Sequence, residues 1–300
     1  MKIVVTTPTG HIGSKLADIL LAKGAKTIVL ARDPGKVKHF VARGAEVLAG
    51  LLDDPGFISR ATRNVDALFW LTPPNFTTPD LRAFQNACGS AAAQAIRTND
   101  IPRIVNISSI GAHLDAGTGP VKGLHDIEKL LDEAAANVTH LRCGYFFENY
   151  LYHVDSIKRD TSVYMPVHGS RRLPMIATAD IARAAADRLL DDQWTGRNVR
   201  GLHGPADLSF DEAAELISRG VGFRVRHVRV PDDTARRAMR SMGLADNVVE
   251  EMLEMYRAMD SGLLAPAERR TRETTTPTTL ERFAREVLAP LASVPAGSHA

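Results

Sequence analysis

Short apolar runs and longer amphipathic stretches alternate along the first half of the chain. The runs are rich in β-branched residues, which is typical of buried strands, and the stretches carry apolar residues at helical spacing. The predicted strands cover residues 2–7, 27–31, 45–49, 67–71, 103–107 and 138–142. The predicted helices between them cover residues 12–23, 57–62, 80–98 and 125–135. Strict alternation with short links predicts an α/β fold with a doubly wound parallel sheet.

The pattern becomes less regular after about residue 150. Residues 180–190 predict a helix with Asp180 as its N-cap, and residues 198–202 predict a strand that returns to the sheet. Ser209 and Glu212 have the spacing of a capping box, which marks another helix start. The remaining predicted elements are a strand at 224–230, a helix at 247–259, a mobile loop at 265–278, and a last helix that Thr278 and Glu281 cap and that ends near Pro290.

These elements predict a larger N-terminal domain and a smaller α+β subdomain that covers it. We assign residues 1–155 to the larger domain, together with a return segment near 175–204. The smaller subdomain covers residues 205–292, and residues 293–300 are expected to be a disordered tail. A chain of 300 residues is long enough to bury a sizeable core in this arrangement.

Composition and charge exclude several classes of protein. The formal net charge is only +2, which does not indicate a nucleic-acid partner. No apolar run approaches the roughly 18 residues that span a bilayer, and no secretion signal opens the chain, so we expect a cytoplasmic protein without a membrane partner. Cys88 and Cys143 stand far apart without a ligand motif, so no metal site is predicted.

A glycine-bearing turn over residues 7–13, Thr-Pro-Thr-Gly-His-Ile-Gly, joins the first predicted strand to the first predicted helix. In this context such a turn binds the pyrophosphate of a dinucleotide, as in the Rossmann fold. Gly10 lets the backbone approach the phosphates, and Gly13 lets the helix pack closely against the strand. Thr7 occupies the place of the usual first glycine. Because threonine does not readily adopt a positive φ, we expect a slightly different turn here.

The end of the second predicted strand carries the signal for the type of cofactor. Arg32 stands where an acidic residue would bind the adenosine ribose, and a guanidinium suits the 2′-phosphate of NADP(H). Asp33 follows directly, and a shift of one residue would make it a ribose acceptor for NAD(H). The position of Arg32 favours NADP(H).

Five segments together form a recognisable pattern. They are Thr-Gly-His-Ile-Gly from residue 9, Ala-Arg-Asp-Pro-Gly-Lys from 31, Leu-Thr-Pro-Pro from 71, Asn-Ile-Ser-Ser-Ile-Gly-Ala from 106 and Leu-Arg-Cys-Gly-Tyr-Phe-Phe-Glu-Asn from 141. The chain resembles the NmrA-like atypical short-chain dehydrogenases over nearly its whole length. The resemblance implies an NADP(H) cofactor in a Rossmann domain and a small C-terminal substrate domain. Such proteins include quinone, triphenylmethane dye and phenylcoumaran-type reductases, and also NADPH sensors without known catalysis.

The resemblance also implies cofactor contacts, residue by residue. At the pyrophosphate it places Thr7, Gly10, His11, Ile12 and Gly13. Around the rest of the cofactor it places Arg32 at the 2′-phosphate, Leu52 beside the adenine, and Leu71, Thr72 and Pro73 along the nicotinamide ribose. Leu51 stands where related proteins often have aspartate, so adenine recognition is expected to rest on backbone groups.

The proton-donating pair of short-chain dehydrogenases, Tyr-x-x-x-Lys, is missing from this chain. Counting back from Glu128 puts the two positions at Pro120 and Leu124, and neither side chain can transfer a proton. His125 and Ser109 are the candidate catalytic residues instead. His125 would donate a proton or bind the substrate; alternatively it bonds to a loop near the helix start. Ser109 would orient a substrate carbonyl or only close the turn after the fifth strand.

An aromatic cluster follows the sixth predicted strand and supplies the candidate substrate contacts, Tyr145, Phe147 and Asn149. The cluster is interpreted either as a wall of a substrate pocket or as core between the two domains. The leading hypothesis is a reductase that transfers hydride from NADPH to a small carbonyl, quinone or enone. The alternatives are a non-catalytic NADP(H)-binding redox sensor and an isomerase or lyase with a vestigial dinucleotide site. A small-molecule substrate is the expected partner, and a homodimer is left open.

Overall fold

The structure is a computed structural model that describes residues 1–292, so the tail predicted at 293–300 lies outside the described residues. Its strands are β1 Lys2–Thr6, β2 Lys26–Ala31, β3 Glu46–Ala49, β4 Ala67–Trp70, β5 Ile104–Ser109, β6 Val138–Cys143, β7 Tyr145–Phe146, β8 Ser162–Met165, β9 Arg172–Ile176, β10 Arg197–Leu202, β11 Asp207–Ser209 and β12 Arg226–Arg229. The main sheet has the order β10-β6-β5-β4-β1-β2-β3, and every neighbouring pair in it is parallel. This confirms the predicted sheet, including the return strand β10 beside β6.

Helices cover both faces of this sheet. The helices of the described residues are α1 His11–Ala22, α2 Lys38–Val41, α3 Pro55–Ala61, α4 Leu81–Asn99, α5 Pro120–Ala134, α6 Val154–Asp160, α7 Thr178–Leu190, α8 Phe210–Val221, α9 Asp232–Ser241, α10 Asp246–Ser261, α11 Leu280–Phe283 and α12 Ala289–Ala292. Those that cover the sheet are α1, α3, α4, α5 and α7. Apolar residues of α1 and α7 form one core with alternate residues of β1 and β2, and those of α3, α4 and α5 form another on the opposite face. The sheet is therefore doubly wound, as predicted.

Two helix boundaries differ from the predictions because of proline and glycine positions. α5 begins at Pro120 rather than near residue 125, since Gly119 forms its N-cap with a φ of 56° and proline suits the first helical position. The last helix continues beyond Pro290 to Ala292, with a π-helical turn over Ala284–Leu288. The capping box of Ser209 and Glu212 at the start of α8 is confirmed.

The predictions that Asp180 caps α7 and that Thr278 caps the last helix are both wrong, for one shared reason. The N-cap of α7 is Ala177, and the buried Asp180 lies within the first turn. Its carboxylate accepts hydrogen bonds from the backbone N–H and the Oγ1 hydroxyl of Thr278, at 2.9 and 2.8 Å. Because Thr278 is held in this way, the neighbouring Thr279 caps α11 by accepting from the N–H of Arg282.

A second core lies on the C-terminal side of the molecule. β7, β9 and β11 form a three-stranded sheet, and β8 and β12 form a two-stranded one. Their apolar residues pack with those of α6, α8 and α11. This core includes residues well before the predicted boundary at residue 205, because β7 pairs with β9 directly after β6 ends and because Ile110, Ala112 and Val121 also belong to it. α7 and β10, which lie between its two parts, return to the large sheet.

α9 and α10 form a helical hairpin, here called the roof hairpin, with a small core of its own. Within residues 1–292, three hydrogen bonds join it to the large domain, one of them the ion pair of Arg82 with Glu251 at 3.3 Å. The N–H of Leu81 donates to Asn247 Oδ1 at 2.8 Å, and the N–H of Ala245 donates to the carbonyl of Phe76 at 2.9 Å. The roof hairpin therefore contacts the segment that follows β4.

Residues 265–278, predicted as a mobile loop, have defined partners on the large domain. Glu268 forms an ion pair with Arg142 of β6 at 2.9 Å. The carbonyl of Thr274 accepts a hydrogen bond from the N–H of His203 at 2.8 Å, directly after β10. This ion pair and this hydrogen bond hold the segment against the carboxyl ends of β6 and β10.

Candidate functional site

The carboxyl ends of β1 and β4 form the switch point of the main sheet, since the chain order diverges between these two neighbours. Thr6, buried at the end of β1, ties the two ends together. Its Oγ1 accepts a hydrogen bond from the N–H of Leu71 at 2.9 Å and donates to the Leu71 carbonyl at 3.3 Å. The predicted cofactor segments 7–13 and 71–73 therefore lie side by side where sheets of this type bind ligands.

Thr7 has a left-handed backbone conformation with a φ of 51°. Threonine thus adopts the glycine-like conformation itself, and the expectation that it would avoid a positive φ is wrong. The conformation lets the Thr7 carbonyl accept a hydrogen bond from the N–H of Gly10 at 3.1 Å, which closes the turn. Backbone strain of this kind costs about 1–3 kcal/mol and is concentrated at ligand sites.

The two glycines of the turn have different roles. A Cβ on Gly13 would lie 2.2 Å from the Thr7 carbonyl oxygen, so close packing of α1 on β1 excludes any side chain. A Cβ on Gly10 would lie 3.5 Å from the same oxygen, an ordinary contact, so the protein itself tolerates a methyl group there. The packing of the protein therefore does not require glycine at position 10, and the space beside it is open.

The N-terminus of α1 is open to an anion. α1 has neither a side-chain cap nor an acidic residue in its first turn, so the first N–H groups, those of His11, Ile12 and Gly13, face outwards from the helix end. These groups and the helix dipole favour negative charge. Together with the space beside Gly10, the turn fits the pyrophosphate of a dinucleotide.

Arg32 and Asp33 are both exposed after β2, but only one of them is engaged. The Arg32 guanidinium has no hydrogen bond or ion pair with residues 1–292. Asp33 caps the 3-10 turn Pro34–Val37, with Oδ1 accepting from the N–H of Gly35 at 2.8 Å. The geometry favours Arg32 as the ligand-binding group, because its guanidinium has no partner among the described residues, whereas one carboxylate oxygen of Asp33 is already used in the cap.

The remaining cofactor candidates differ in how much surface they offer. Leu52 is half-buried and packs against the core on the α3 side, whereas Leu51 is 51% exposed. Leu71 and Pro73 are half-buried at the switch point. Thr72 is buried, and its Oγ1 accepts a hydrogen bond from Trp70 Nε1 at 3.0 Å, so this hydroxyl oxygen already has a protein partner.

The candidate catalytic residues Ser109, at the end of β5, and His125, on α5, both contact Ala112 in the turn after β5. His125 Nδ1 is 2.8 Å from the carbonyl oxygen of Ala112, and the N–H of Ala112 donates to the carbonyl of Ser109 at 3.1 Å. The alternative that His125 bonds to a loop is thus seen in the structure. Its other ring nitrogen, Nε2, is buried and has no hydrogen-bond partner within the described part of the chain. A fixed imidazole with one free nitrogen can transfer a proton.

The three aromatic-cluster candidates have unequal access to a ligand. Phe147 has no exposed surface and packs against Phe283 at a ring-centroid distance of 5.6 Å, so in this structure it is a core residue. Burial raises the pKa of Tyr145 well above its usual range, the neighbouring tyrosines Tyr150 and Tyr256 add to the rise, and a hydrogen bond with Asn149 opposes it. Asn149 is half-buried and retains access to a ligand.

A buried polar cluster beside the phosphate turn was missed by the sequence reasoning. Glu148 is buried and accepts hydrogen bonds from the N–H of Thr178, at 3.0 Å, and from its Oγ1. Lys15 Nζ lies 3.5 Å from the same Oγ1 and 3.2 Å from the His11 carbonyl. These residues border a cavity of about 310 Å³ between α1, α7 and α11. A carboxylate within an aromatic stretch was the available signal, since a buried carboxylate requires partners.

Other kinds of site receive no support from residues 1–292. No group of three or more His, Cys, Asp and Glu side chains there could hold a metal ion. Burial raises the pKa of the Cys88 thiol to about 12, with Asp53 adding to the effect, and burial raises that of Cys143 too, so neither is activated as a nucleophile. No helix in the same range is long and apolar enough to span a bilayer.

Comparison with known protein families identifies the family whose members match this chain. A model of the NmrA-like family matches residues 1–284. The chain belongs to the NmrA-like family. The match includes the phosphate turn, the turn after β5 and the roof hairpin, and it confirms the resemblance seen in the five sequence segments.

Individual relatives of this NmrA-like chain are reductases. NAD(P)H azoreductase of Xenophilus azovorans is 29% identical over 254 residues, which cover 85% of this chain and 86% of the relative. Quinone oxidoreductase 2 of Escherichia coli (strain K12) is 23% identical over 260 residues, which cover 84% and 86%. The triphenylmethane reductase of Citrobacter sp. complexed with NADP(H) superimposes with a TM-score of 0.79 at 19% identity, over 98% of this chain and 100% of that one. This structural likeness shows a shared fold.

Proposed function

We propose that this protein is an NADPH-dependent reductase that transfers hydride to a small carbonyl, quinone or enone acceptor. The names of its relatives, an NAD(P)H azoreductase and a quinone oxidoreductase, support a reductase in general. The observation that carries the proposal is the buried Nε2 atom of His125, which has no protein partner and lies on a helix packed against the carboxyl end of the sheet.

The candidate cofactor residues fit NADP(H) along its whole length, from the adenine to the nicotinamide ribose. The N–H groups at the start of α1 would hold the pyrophosphate, and Arg32 would hold the 2′-phosphate. Leu52 would border the adenine, and Leu71 and Pro73 would border the nicotinamide ribose. When bound, the cofactor supplies a hydride, which carries two electrons and one hydrogen nucleus to the acceptor.

His125 would supply the proton that the acceptor needs in addition to the hydride. Its Nδ1–H donates to the Ala112 carbonyl, which fixes the orientation of the ring, and in the imidazolium form Nε2 carries the proton that would pass to the acceptor. The acceptor thereby gains one hydride and one proton, and water returns a proton to Nε2. Ser109 would orient the acceptor oxygen from the same turn, while Tyr145 and Asn149 would border the acceptor.

Turnover with a panel of acceptors tests this proposal. Purified protein is mixed with NADPH and with quinones, enones, aldehydes or cationic dyes, and the absorbance of the reduced nicotinamide is followed. Consumption of many equivalents of NADPH with any acceptor supports the reductase. Tight NADPH binding without turnover on the whole panel contradicts it.

A non-catalytic NADP(H)-binding redox sensor is the second candidate. Pro120 and Leu124 favour it, because they occupy the first turns of α5 where short-chain dehydrogenases carry their tyrosine and lysine. A sensor requires the dinucleotide and a surface that responds to it, but no second ligand at the nicotinamide. A protein partner that binds only one redox state of the cofactor complex, together with a silent acceptor panel, would establish the sensor.

A further inference from the structure

A cavity of about 310 Å³ between α1, α7 and α11 has no role in the proposed hydride transfer. Among the candidate cofactor, catalytic and acceptor residues, only His11 at the start of α1 lines it. Its other walls come from α7, from the segment after β6 and from residues 278–287. Small-molecule sites begin at about 300 Å³, so the cavity is large enough to hold a small ligand.

Part of the cavity wall is apolar. Leu151 is half-buried and packs against the second core, and Phe283 is buried within that core. Val287, about one helical turn after Phe283, is 37% exposed and extends the apolar wall to the molecular surface. An apolar ligand body that lies against these three side chains would be removed from water.

The polar part of the wall contains two arginines that already have acidic partners. Arg183 Nη2 lies 3.0 Å from Asp180 Oδ1, and Arg282 Nε donates to Glu286 Oε1 at 2.8 Å. Each ion pair joins residues three or four positions apart. Because each guanidinium has a carboxylate beside it, neither requires an external anion.

Lys15 is the lining cation that forms no ion pair with residues 1–292. Its half-buried side chain contacts only uncharged oxygens. Nζ lies 3.2 Å from the carbonyl oxygen of His11 and 3.5 Å from Thr178 Oγ1. An ammonium group has three N–H donors, so at least one remains for an external acceptor. An anionic ligand would supply the counter-charge that the protein does not provide.

Glu148, the buried carboxylate of the cavity, does not contact Lys15 directly. Its two oxygens accept from the backbone N–H of Thr178, at 3.2 and 3.0 Å, and one of them also accepts from the Thr178 hydroxyl. That hydroxyl oxygen therefore lies between the carboxylate and Lys15. Since like charges repel, an anionic ligand group would bind on the side of Lys15 away from Glu148.

We propose that the cavity binds a small organic carboxylate, with its charged group on Lys15 and its apolar body against Leu151, Phe283 and Val287. A neutral ligand would leave Lys15 without a counter-charge, and an inorganic anion would leave the apolar wall uncovered. The proposal goes beyond hydride transfer, because the cavity shares only His11 with the candidate cofactor contacts and none of the candidate catalytic or acceptor residues.

Binding is tested with 4-(trifluoromethyl)benzoate and with the corresponding neutral amide, both followed by fluorine NMR. The titrations use the NADP⁺ complex, so that the N-terminus of α1 and Arg32 are already occupied. We expect wild type to bind the benzoate about fivefold more tightly than the amide. Lys15→Met removes the charge and nearly keeps the length of the side chain. It should raise the Kd for the benzoate about fivefold and leave that for the amide unchanged.

Two matched controls accompany the variants of the cavity. Lys23→Met should bind the benzoate as wild type does, because this exposed lysine follows the other end of α1 and does not line the cavity. Val287→Asp places a carboxylate on the apolar wall and should weaken benzoate binding about fivefold. Leu291→Asp is its control, since Leu291 is 48% exposed and lies outside the cavity. Melting temperatures close to that of wild type show that the variants are folded.

Several results would overturn the proposal. They are the absence of benzoate binding to the wild-type NADP⁺ complex, equal affinities for benzoate and amide, and an unchanged benzoate Kd in Lys15→Met. Displacement of the benzoate from the cofactor-free protein by NADP⁺ would overturn it too, because Lys15 would then belong to the cofactor site. None of these measurements requires turnover. A silent acceptor panel would therefore refute the reductase and leave the carboxylate site standing.

Discussion

Asp33 Oδ1 accepts a hydrogen bond from the backbone N–H of Gly35 at 2.8 Å. The bond caps the turn after β2, and it leaves Arg32 as the charged group without a protein partner at the adenosine end of the switch point. One carboxylate oxygen of Asp33 is thus engaged by the protein while the neighbouring guanidinium is not, which favours Arg32 between the two cofactor ligands that the sequence alone left open.

Arg32→Ala should remove the preference for the phosphorylated cofactor. We expect the wild-type protein to bind NADPH at least tenfold more tightly than NADH, which corresponds to about 1.4 kcal/mol, because the guanidinium pairs with the 2′-phosphate. The variant should bind both cofactors similarly, as measured by titration of nicotinamide fluorescence. Arg63→Ala, another exposed arginine, is the control and should retain the preference. Equal affinities of wild type for the two cofactors would refute the assignment.

Alanine at Gly10 and at Gly13 should have separable effects. Gly13→Ala forces a Cβ to within 2.2 Å of the Thr7 carbonyl, so we expect a loss of stability of about 2–4 kcal/mol in urea unfolding. Gly10→Ala meets the protein only at 3.5 Å, so its stability should remain within about 1 kcal/mol of wild type. Its NADPH affinity should nevertheless fall about tenfold, because the methyl group occupies the space for the pyrophosphate. Unchanged NADPH binding by Gly10→Ala would place the phosphates elsewhere.

His125→Ala should impair reduction without impairing cofactor binding. If Nε2 donates the proton, kcat/KM for the best acceptor should fall by roughly 10²-fold, while the Kd for NADPH remains unchanged. His113→Ala is a suitable control, because this exposed histidine precedes α5 but makes no contact that the proposal uses. A rate for His125→Ala close to wild type would leave the residue with a structural role, that of holding the Ala112 carbonyl.

The half-buried His153 should make the folded state sensitive to acid. Desolvation and, to a smaller extent, the neighbouring His227 together lower its pKa to about 4, whereas an unfolded histidine titrates near 6.5. Because the folded pKa is the lower one, the unfolded chain binds the proton first, so stability is full above about pH 7 and falls between about pH 6.5 and pH 4. In urea unfolding, the decrease in the free energy of unfolding from pH 7.5 to pH 4.5 should be about 2 kcal/mol smaller for His153→Gln than for wild type.

The exposed His113→Gln variant serves as the control for this pH dependence. Its loss of stability between the two pH values should equal that of wild type, since the exposed side chain is not desolvated on folding. If the free energy of unfolding decreases by the same amount in His153→Gln and in wild type between these pH values, the effect attributed to burial is contradicted.

Local patterns in the sequence determined the large domain and the general location of the cofactor site. The β-branched runs, the amphipathic stretches and the capping box of Ser209 and Glu212 depend on residues within a few positions of each other, so each could be identified without the fold. The same holds for the glycines of the turn over residues 7–13, because the motif lies between a strand and a helix. Even the return of β10 to the sheet followed from a short apolar segment after a helix.

Tertiary structure decided the features that depend on residues far apart in the chain. Thr7 takes a positive φ because α1 must pack against β1 at Gly13, and Asp180 is no cap because Thr278, almost a hundred residues later, occupies its carboxylate. Phe147 is core rather than pocket wall because Phe283 meets it. Which polar atom remains without a hydrogen-bond partner, as His125 Nε2 does, is likewise fixed only once every other partner is in place. Sequence reveals the chemistry that a residue can perform, whereas the contacts made across the fold decide which groups remain available to perform it.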